Sequence, residues 1–263
     1  MERMKHMKLT VTSYNICAGK SYQHYPDKNQ AFDPSLTPFF SLVPAAQTLL
    51  GIKPQIVGVN EVDYMANRSG HVDMAAELGN MTGLEGVFGK ALHLKGPAFG
   101  EGSLYGNGLL SQFSLLEKEE YPIENPKRDE KEYYEQRGIL RVKLDVAGGI
   151  TVFVTHLGLS IHERQNGVMP LCRLLDETKG PVILMGDFNM RPWDFLHNPL
   201  RDRLTDTALV LGVEPATFPS CSLNYPDCKI DYIYVSKHFK IRSFYAVDSK
   251  ASDHLPIVAE LEL

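Results

Sequence analysis

Apolar and polar positions alternate through residues 7–16, MKLTVTSYNI, around β-branched side chains, and this period of two predicts a first strand. A loop rich in Tyr, Pro and Asp follows. Phe39, Leu42, Val43, Ala46, Leu49 and Leu50 then recur at helical spacing, with Gly51 as a stop signal; Pro44 fits only a first turn, so the regular helix starts near Val43. The apolar run QIVGV reads as a buried strand that delivers Asn60-Glu61-Val62-Asp63. A second helix is predicted over 72–82, closed by Gly83, and strands over 84–94, 107–113 and 115–123. Segments 139–146 and 150–157 flank Ala147-Gly148-Gly149, a hairpin signal. Ser160 and Glu163 form a capping-box pattern ahead of a helix that extends to Gly180 and that Pro170 is expected to kink or split. PVILM is a further strand, delivering Gly186-Asp187-Phe188-Asn189. A helix over 201–211 and strands over 229–236, 239–247 and 255–263 complete the pattern.

Many strands, a few interspersed helices, no fixed-period repeat and no low-complexity linker favour one α/β domain built on two packed sheets. It is expected to cover 8–263, with 1–7 as an N-terminal extension. A chain of 263 residues, 43% hydrophobic and 22% charged, can bury a core without staples and is not a disordered polymer. No apolar run approaches the roughly 18 residues that would suggest a membrane span. Against 27 Lys and Arg stand 32 Asp and Glu, a net charge of -5, which argues against diffuse adhesion to nucleic acid while leaving room for a local basic groove. Cysteines at 17, 172, 221 and 228 form no CxxC pair; Cys221 and Cys228 are near enough in sequence for a disulfide, which would suit export. The opening MERMKHMKLT has no apolar signal core, so the cytoplasm is the default expectation, with export open if a leader has been removed.

The unusual feature is polar residues where the strands end. Asn15 ends the first strand, Glu61 follows QIVGVN, His156 follows VFVT, Asp187 and Asn189 follow PVILM, and Asp253-His254 precede LPIVAEL. Asp231 lies inside KIDYIYVS on the alternating face of Ile233 and Val235, where an unpaired carboxylate is costly, so it needs a fixed partner such as an imidazole. Each residue alone is ordinary: Asn and Asp form turns and caps, and a lone histidine is commonly a satisfied core residue. Recurrence at successive strand ends is not ordinary. The donors are mostly oxygens, which suits Mg²⁺, Mn²⁺ or Ca²⁺ better than zinc, and a Mg²⁺ held by one or two carboxylates, waters and phosphate is an arrangement for phosphate-ester chemistry. The chain has no P-loop, no G-x-S-x-G elbow and no dinucleotide fingerprint.

Taken in order, SYNI, VGVNEVD, YGNGLLS, RGILRV, VTHL, GDFNMRP, KIDYIYVS and SDHLPIV resemble the endonuclease/exonuclease/phosphatase superfamily, from about residue 8 to the end. GDFN, IDYIYVS and SDHLP are specific in combination; the others are individually weak. The resemblance implies an α/β four-layer sandwich, two central, mostly antiparallel β-sheets flanked by helices, with the site at one edge of the sheets. It implies a metal site of Glu61, the main carboxylate ligand, with Asn15 and Asp253. It also implies a His254–Asp231 dyad that contacts phosphate and transfers protons. Asp187 is then the residue that orients or deprotonates the water or assists the leaving group, Asn189 its partner, and His156 a second imidazole at the phosphate. The implied activity is that of a Mg²⁺-dependent hydrolase acting on a phosphate ester, a phosphodiesterase first of all.

Substrate is less determined. DNA or RNA nuclease action would need basic residues near the site, for which Arg68, Arg137, Arg164 and Arg191 are the candidates. A sphingomyelinase-like lipid phosphodiesterase would need an exposed apolar loop; Pro38-Phe39-Phe40 fits better as core helix. Where inositol phosphatases carry a P-x-W-C-D-R-like segment this chain has NYPDCKIDYI, which weakens a phosphoinositide phosphatase reading. Arg68 and Asn107 are expected to line the substrate cleft. A noncatalytic binding protein on the same fold is the alternative of a different class, and the full set of site residues argues against it. Oligomeric state is left open.

Overall fold

The predicted β-branched runs pair into two six-stranded sheets in the computed structural model, which describes residues 7–22, 39–127, 134–220 and 226–263. The first sheet has the order β13 (Lys240–Ala246), β14 (Ile257–Glu262), β1 (Lys8–Asn15), β4 (Ile56–Tyr64), β6 (Leu104–Ser111), β5 (Glu85–His93). The second runs β11 (Thr205–Asp206), β12 (Asp231–Val235), β10 (Val182–Asp187), β9 (Ile150–His156), β8 (Arg137–Leu144), β7 (Leu115–Ile123). A small ribbon pairs β2 (Lys20–Ser21) with β3 (Phe39–Phe40). Neighbours in both sheets are antiparallel except β1 with β4 and β9 with β10. The helices are α1 (Val43–Ile52), α2 (Met74–Thr82), α3 (Ile161–Glu177), α4 (Asn198–Arg201) and α5 (Thr207–Val210).

Three apolar clusters separate four layers. Val11, Ile56, Leu109, Val152, Val154, Ile183, Met185 and Ile257 fill the space between the sheets. Tyr14, Val57, Val59 and Leu110 point outward from the first sheet onto Leu49 of α1 and Met74 and Leu78 of α2. Phe153, Leu184, Tyr232 and Tyr234 do the same for the second sheet, against Val168, Leu171 and Leu175 of α3 and Leu200 of α4. Strand alternation thus sends one face of each sheet to the shared core and the other to helices. The sheets approach closely where Gly58 meets Met185: a β-carbon at Gly58 would lie 2.6 Å from the Met185 sulfur.

Several local expectations are corrected by packing. Phe39 and Phe40 do not belong to α1: they pair as strand β3 with Lys20 and Ser21, and the helix begins at Val43 with Pro44 in its first turn. The membrane-contact reading of Pro38-Phe39-Phe40 lies partly outside the described residues, as Pro38 is not among them. Pro170 does not split α3, because Val168, Leu171, Cys172 and Leu175 continue one buried face across it while Met169 beside it is exposed. Residues 201–211 are not one helix. Thr205 and Asp206 extend to pair with Val235 and Tyr234, and the Asp206 carboxylate then accepts from Ala208 and Leu209 N–H, starting the separate turn α5. Cys17, Cys172 and Cys228 are buried; Cys221, and with it the Cys221–Cys228 pairing, lies outside the described residues, as does 128–133 of the charged loop. Among the described residues no helix is long and apolar enough to cross a membrane.

Candidate active site

Both parallel pairs end at the same edge. Asn15, at the end of β1, is in register with Asn60, where the parallel pairing stops just ahead of the bulge in β4, and Asp187 is in register with His156 at the ends of β10 and β9. Asp231, first residue of β12, faces Asp187 across the next ladder. Carboxyl ends of parallel strands are where open α/β sheets build sites, and here two sheets contribute one pair each. Gly186 makes the second pair geometrically possible: at φ +146° a β-carbon there would lie 1.8 Å from Thr155 O.

Glu61 is aimed by a bulge. The ladder with β6 shifts between Asn60 and Val62, and Glu61 adopts φ +58°, a left-handed conformation that costs about 1–3 kcal/mol for a non-glycine residue. Asn189 (φ +50°) and Cys17 (φ +47°) are held in the same region. Asn15 Nδ2 donates to Glu61 Oε1 (3.0 Å) and to Asp187 Oδ2 (3.2 Å) and lies 3.5 Å from His254 Nε2. One buried amide therefore joins residues from both sheets and from the segment before β14.

Asp187 is the centre of the cluster. His156 Nε2 lies 3.3 Å and His254 Nε2 3.6 Å from its Oδ2, while its Oδ1 accepts from Asn189 N–H (2.9 Å). Burial raises its carboxyl to about 7, against the opposing pull of the His254 charge. His254 Nδ1 donates to Asp231 Oδ2 at 3.0 Å. Burial alone would discharge His254, but the Asp231 and Asp187 charges and the Asp231 hydrogen bond prevail and lift it to about 10, so the ring is an imidazolium at neutral pH. His156 is the opposite case. Burial, then the Arg137 and His254 charges, hold it well below its ordinary value. Arg137 Nη1, which can only donate, is 3.0 Å from His156 Nδ1, which favours the ring proton on Nε2 toward Asp187, with Asn189 Nδ2, itself a donor to Leu157 O, 3.2 Å from that nitrogen.

Asn15, Asp187, Asp231, His156 and His254 are all buried, whereas Glu61, Asn189 and Asp253 are half-buried and form the accessible rim. Asp253 is raised by burial and further by the Glu61 charge, against His254. Two carboxylates thus crowd one another at the rim. That all-oxygen pair, with Asn15 beside it, fits a hard divalent cation, which would neutralise the repulsion. Asp187, Asp231 and His254 also bring ligating atoms within 4.8 Å of one another, a second group of cation-binding dimensions. Its histidine is an imidazolium, and ligation through Nε2 would require that nitrogen to lose its proton while Nδ1 keeps the one Asp231 accepts. As built, this second group is a hydrogen-bonded acid–base triad.

The cleft expectations divide. Arg68 binds Asp63 through two bonds (2.8 and 2.7 Å), stacks on Phe99 and Tyr105, and lines a cavity of about 350 Å³ with His93, Lys95 and Glu135. Glu61 acts electrostatically on both Tyr105 and Arg68, which puts this cavity beside the site. Asn107 points the other way. It is buried, accepts from Asn60 Nδ2 (2.8 Å) and donates to Gly138 O (2.9 Å) across the sheet interface, so its amide is committed inside the protein. Among the other arginines, Arg137 reaches the site through His156, Arg164 holds the Leu159 and Asn189 carbonyls, and Arg191 lies over Trp193. Asn60, passed over in the sequence, is structurally central: its Oδ1 accepts from Asp187 N–H (2.9 Å) and its Nδ2 also donates to Thr155 O (2.9 Å). Its place next to Glu61, where the apolar run QIVGV gives way to polar residues, was the available signal.

The profile of the Endonuclease/Exonuclease/phosphatase family matches residues 12–254. No curated protein matches the chain. Among solved structures, an endonuclease/exonuclease/phosphatase from Beutenbergia cavernae is 23% identical with a TM-score of 0.71, over 97% of this chain and 72% of that one. A mannosyl-6-phosphatase from Bacteroides thetaiotaomicron is 17% identical with a TM-score of 0.66, over 96% and 99%. The human Nocturnin catalytic domain is 18% identical with a TM-score of 0.67, over 97% and 94%. These likenesses establish a shared sandwich fold.

Proposed function

This chain belongs to the endonuclease/exonuclease/phosphatase family, whose members are hydrolases of phosphoester bonds, and on that premise we propose that it is a Mg²⁺-dependent phosphodiesterase. The observation carrying this reading is the division of labour between two buried histidines on one carboxylate: His254 cationic, His156 neutral, both within 3.6 Å of Asp187 Oδ2. Glu61, Asp253 and Asn15 would hold the cation, which supplies Lewis-acid charge to the phosphoryl oxygens. His254, fixed by Asp231, donates its Nε2 proton toward a nonbridging or leaving oxygen. His156 presents a neutral N–H to the same centre. Asp187, raised to about 7, is poised to take a proton from water at neutral pH, with Asn189 and Asn15 fixing its two oxygens.

A phosphomonoesterase reading has one observation of its own. The cavity beside Glu61 carries Lys95 and Arg68, the latter paired with Asp63, together with His93 and Glu135, so a terminal phosphate would meet basic groups there. Initial rates on bis-p-nitrophenyl phosphate and p-nitrophenyl phosphate with Mg²⁺, for the wild type and His254→Ala, distinguish the readings. Preference for the diester, lost in the variant, supports the proposal. Preference for the monoester replaces it, and no Mg²⁺-dependent turnover of either, or of nucleic acid, phosphoinositide or sphingomyelin, leaves the noncatalytic reading.

A further inference from the structure

On the side of β12 away from the catalytic cluster is a cavity of about 360 Å³ that the proposed chemistry does not use. Its volume falls within the roughly 300–1,000 Å³ of small-molecule sites. The lining is graded by depth. Trp193 (74% exposed), Leu209 (59%) and Val213 (39%) form an apolar rim, while Lys229 (4% exposed) lies at the floor beside the Arg201–Asp206 pair.

The floor is short of negative charge. Asp206, the acid acting most strongly on Lys229, is already committed to Arg201 (3.0 Å) and to the N–H groups of Ala208 and Leu209 (3.2 Å each). Lys229 Nζ donates to Asp231 O (3.0 Å) and rests 3.0 Å from the centre of the Tyr232 ring, with no ion-pair partner among the described residues. Arg201 Nε is buried without a hydrogen-bond partner among the described residues. Two cations therefore face one occupied carboxylate, with Glu214 exposed at the mouth. Burial pushes the Lys229 ammonium down to about 7 although Asp206, Asp231 and Glu214 pull upward, the signature of a charge lacking a close counter-ion.

We propose that this cavity binds a small amphipathic carboxylate, its head on Lys229 and Arg201 and its apolar body against Trp193, Leu209 and Val213. Once protonated, Lys229 is one positive charge without a close counter-ion, which matches a monoanion. A phosphate dianion would exceed it and meet Asp206 and Glu214 with charge to spare. The apolar rim excludes a simple inorganic ion as the matching ligand.

Trp193 is the chain's one tryptophan, so its emission reports on this cavity alone. The full chain is titrated with octanoate and, separately, with octan-1-ol. Octanoate should give a saturable change, with the alcohol and the Lys229→Met variant about tenfold weaker or worse, as loss of a charge-assisted contact implies. Glu214→Gln, an exposed change, should tighten octanoate about twofold by removing a repelling charge. Three results overturn the proposal: a non-saturating octanoate titration, equal affinity for acid and alcohol, or a folded Lys229→Met that binds octanoate as the wild type does. Should Lys229→Met fail to fold, the acid–alcohol comparison and Glu214→Gln decide between the outcomes.

Discussion

Replacing Asn60 by alanine removes three hydrogen bonds: one within the first sheet, to Asn107 Oδ1 (2.8 Å), and two across to the second sheet, to Thr155 O (2.9 Å) and from Asp187 N–H (2.9 Å). At about 1 kcal/mol net for each, plus about 1–2 kcal/mol for leaving the buried Asn107 oxygen stranded, the expected loss is about 4–5 kcal/mol. Against a total stability of roughly 5–15 kcal/mol this is a large fraction. With a urea slope of about 2–3 kcal/mol/M the unfolding midpoint should fall by roughly 1.3–2.5 M. Asn60→Asp sharpens the test. It keeps an acceptor for Asp187 N–H but sets a second carboxylate oxygen against Asn107 Oδ1 and Thr155 O, so it should be at least as destabilising as alanine despite its shape. The Asn60→Ala, Asn107→Ala double-mutant cycle should give a coupling of about 1 kcal/mol or more. A midpoint shift under about 0.3 M for Asn60→Ala, or a benign Asn60→Asp, would refute the claim that this pair locks the sheets together.

Other expectations follow from the same geometry. Asp231→Asn removes a full charge about 3–4 Å from the His254 imidazolium, worth on the order of 4 kcal/mol or about 3 pH units, so His254 should titrate near or below neutrality by NMR, and kcat should fall at least ~100-fold; an unmoved titration contradicts the dyad. In the wild type the raised His254 makes its stabilising contribution complete below about pH 6.5 and lost as pH rises toward about 10, a slope in urea midpoints that Asp231→Asn should flatten. Buried His197, between Tyr234 OH (2.6 Å) and Arg191 O (3.1 Å), is depressed to about 4 by burial and then by Arg201 and Lys229. Its contribution is present above about pH 6.5 and declines by about 3 kcal/mol as pH falls toward 4; a His197→Gln variant with an unchanged acid slope would disprove this. Chelation should abolish turnover and Mg²⁺ restore it, with Glu61→Gln needing about tenfold more Mg²⁺ or worse; full activity after chelation would rule out the metal role.

Much of the site was legible because its residues interrupt apolar strands. Asn15, Glu61, His156, Asp187, Asp231 and His254 lie where alternation gives way to polar side chains, and the sheets bring those ends together. The Asp231–His254 pair was inferable from a carboxylate on an apolar face. For Asn107 nothing local in the sequence distinguishes an amide facing substrate from one bridging to Gly138 in the other sheet. Asn60 was hidden the same way, its partners lying 47, 95 and 127 residues along the chain. Residues 201–211 were read as helical from composition, while pairing with β12 and the Asp206 cap dictated otherwise. The Glu61 bulge leaves no mark in hydrophobic periodicity.

The first strand of the sandwich has the last as its neighbour: Lys8 is in register with Glu262, and Met7 and Leu263 exchange backbone bonds at the margin of the sheet. A chain emerging from its N-terminus therefore carries β1 with one flank open until the final residues arrive. Glu61 and Asp187 are synthesised well before His254, and Ser252, which bonds to Asn15 O at 2.7 Å, takes its place just ahead of β14. The nascent polypeptide thus holds Glu61 and Asp187 without His254, and the buried cluster is complete only when β14 slots in beside β1.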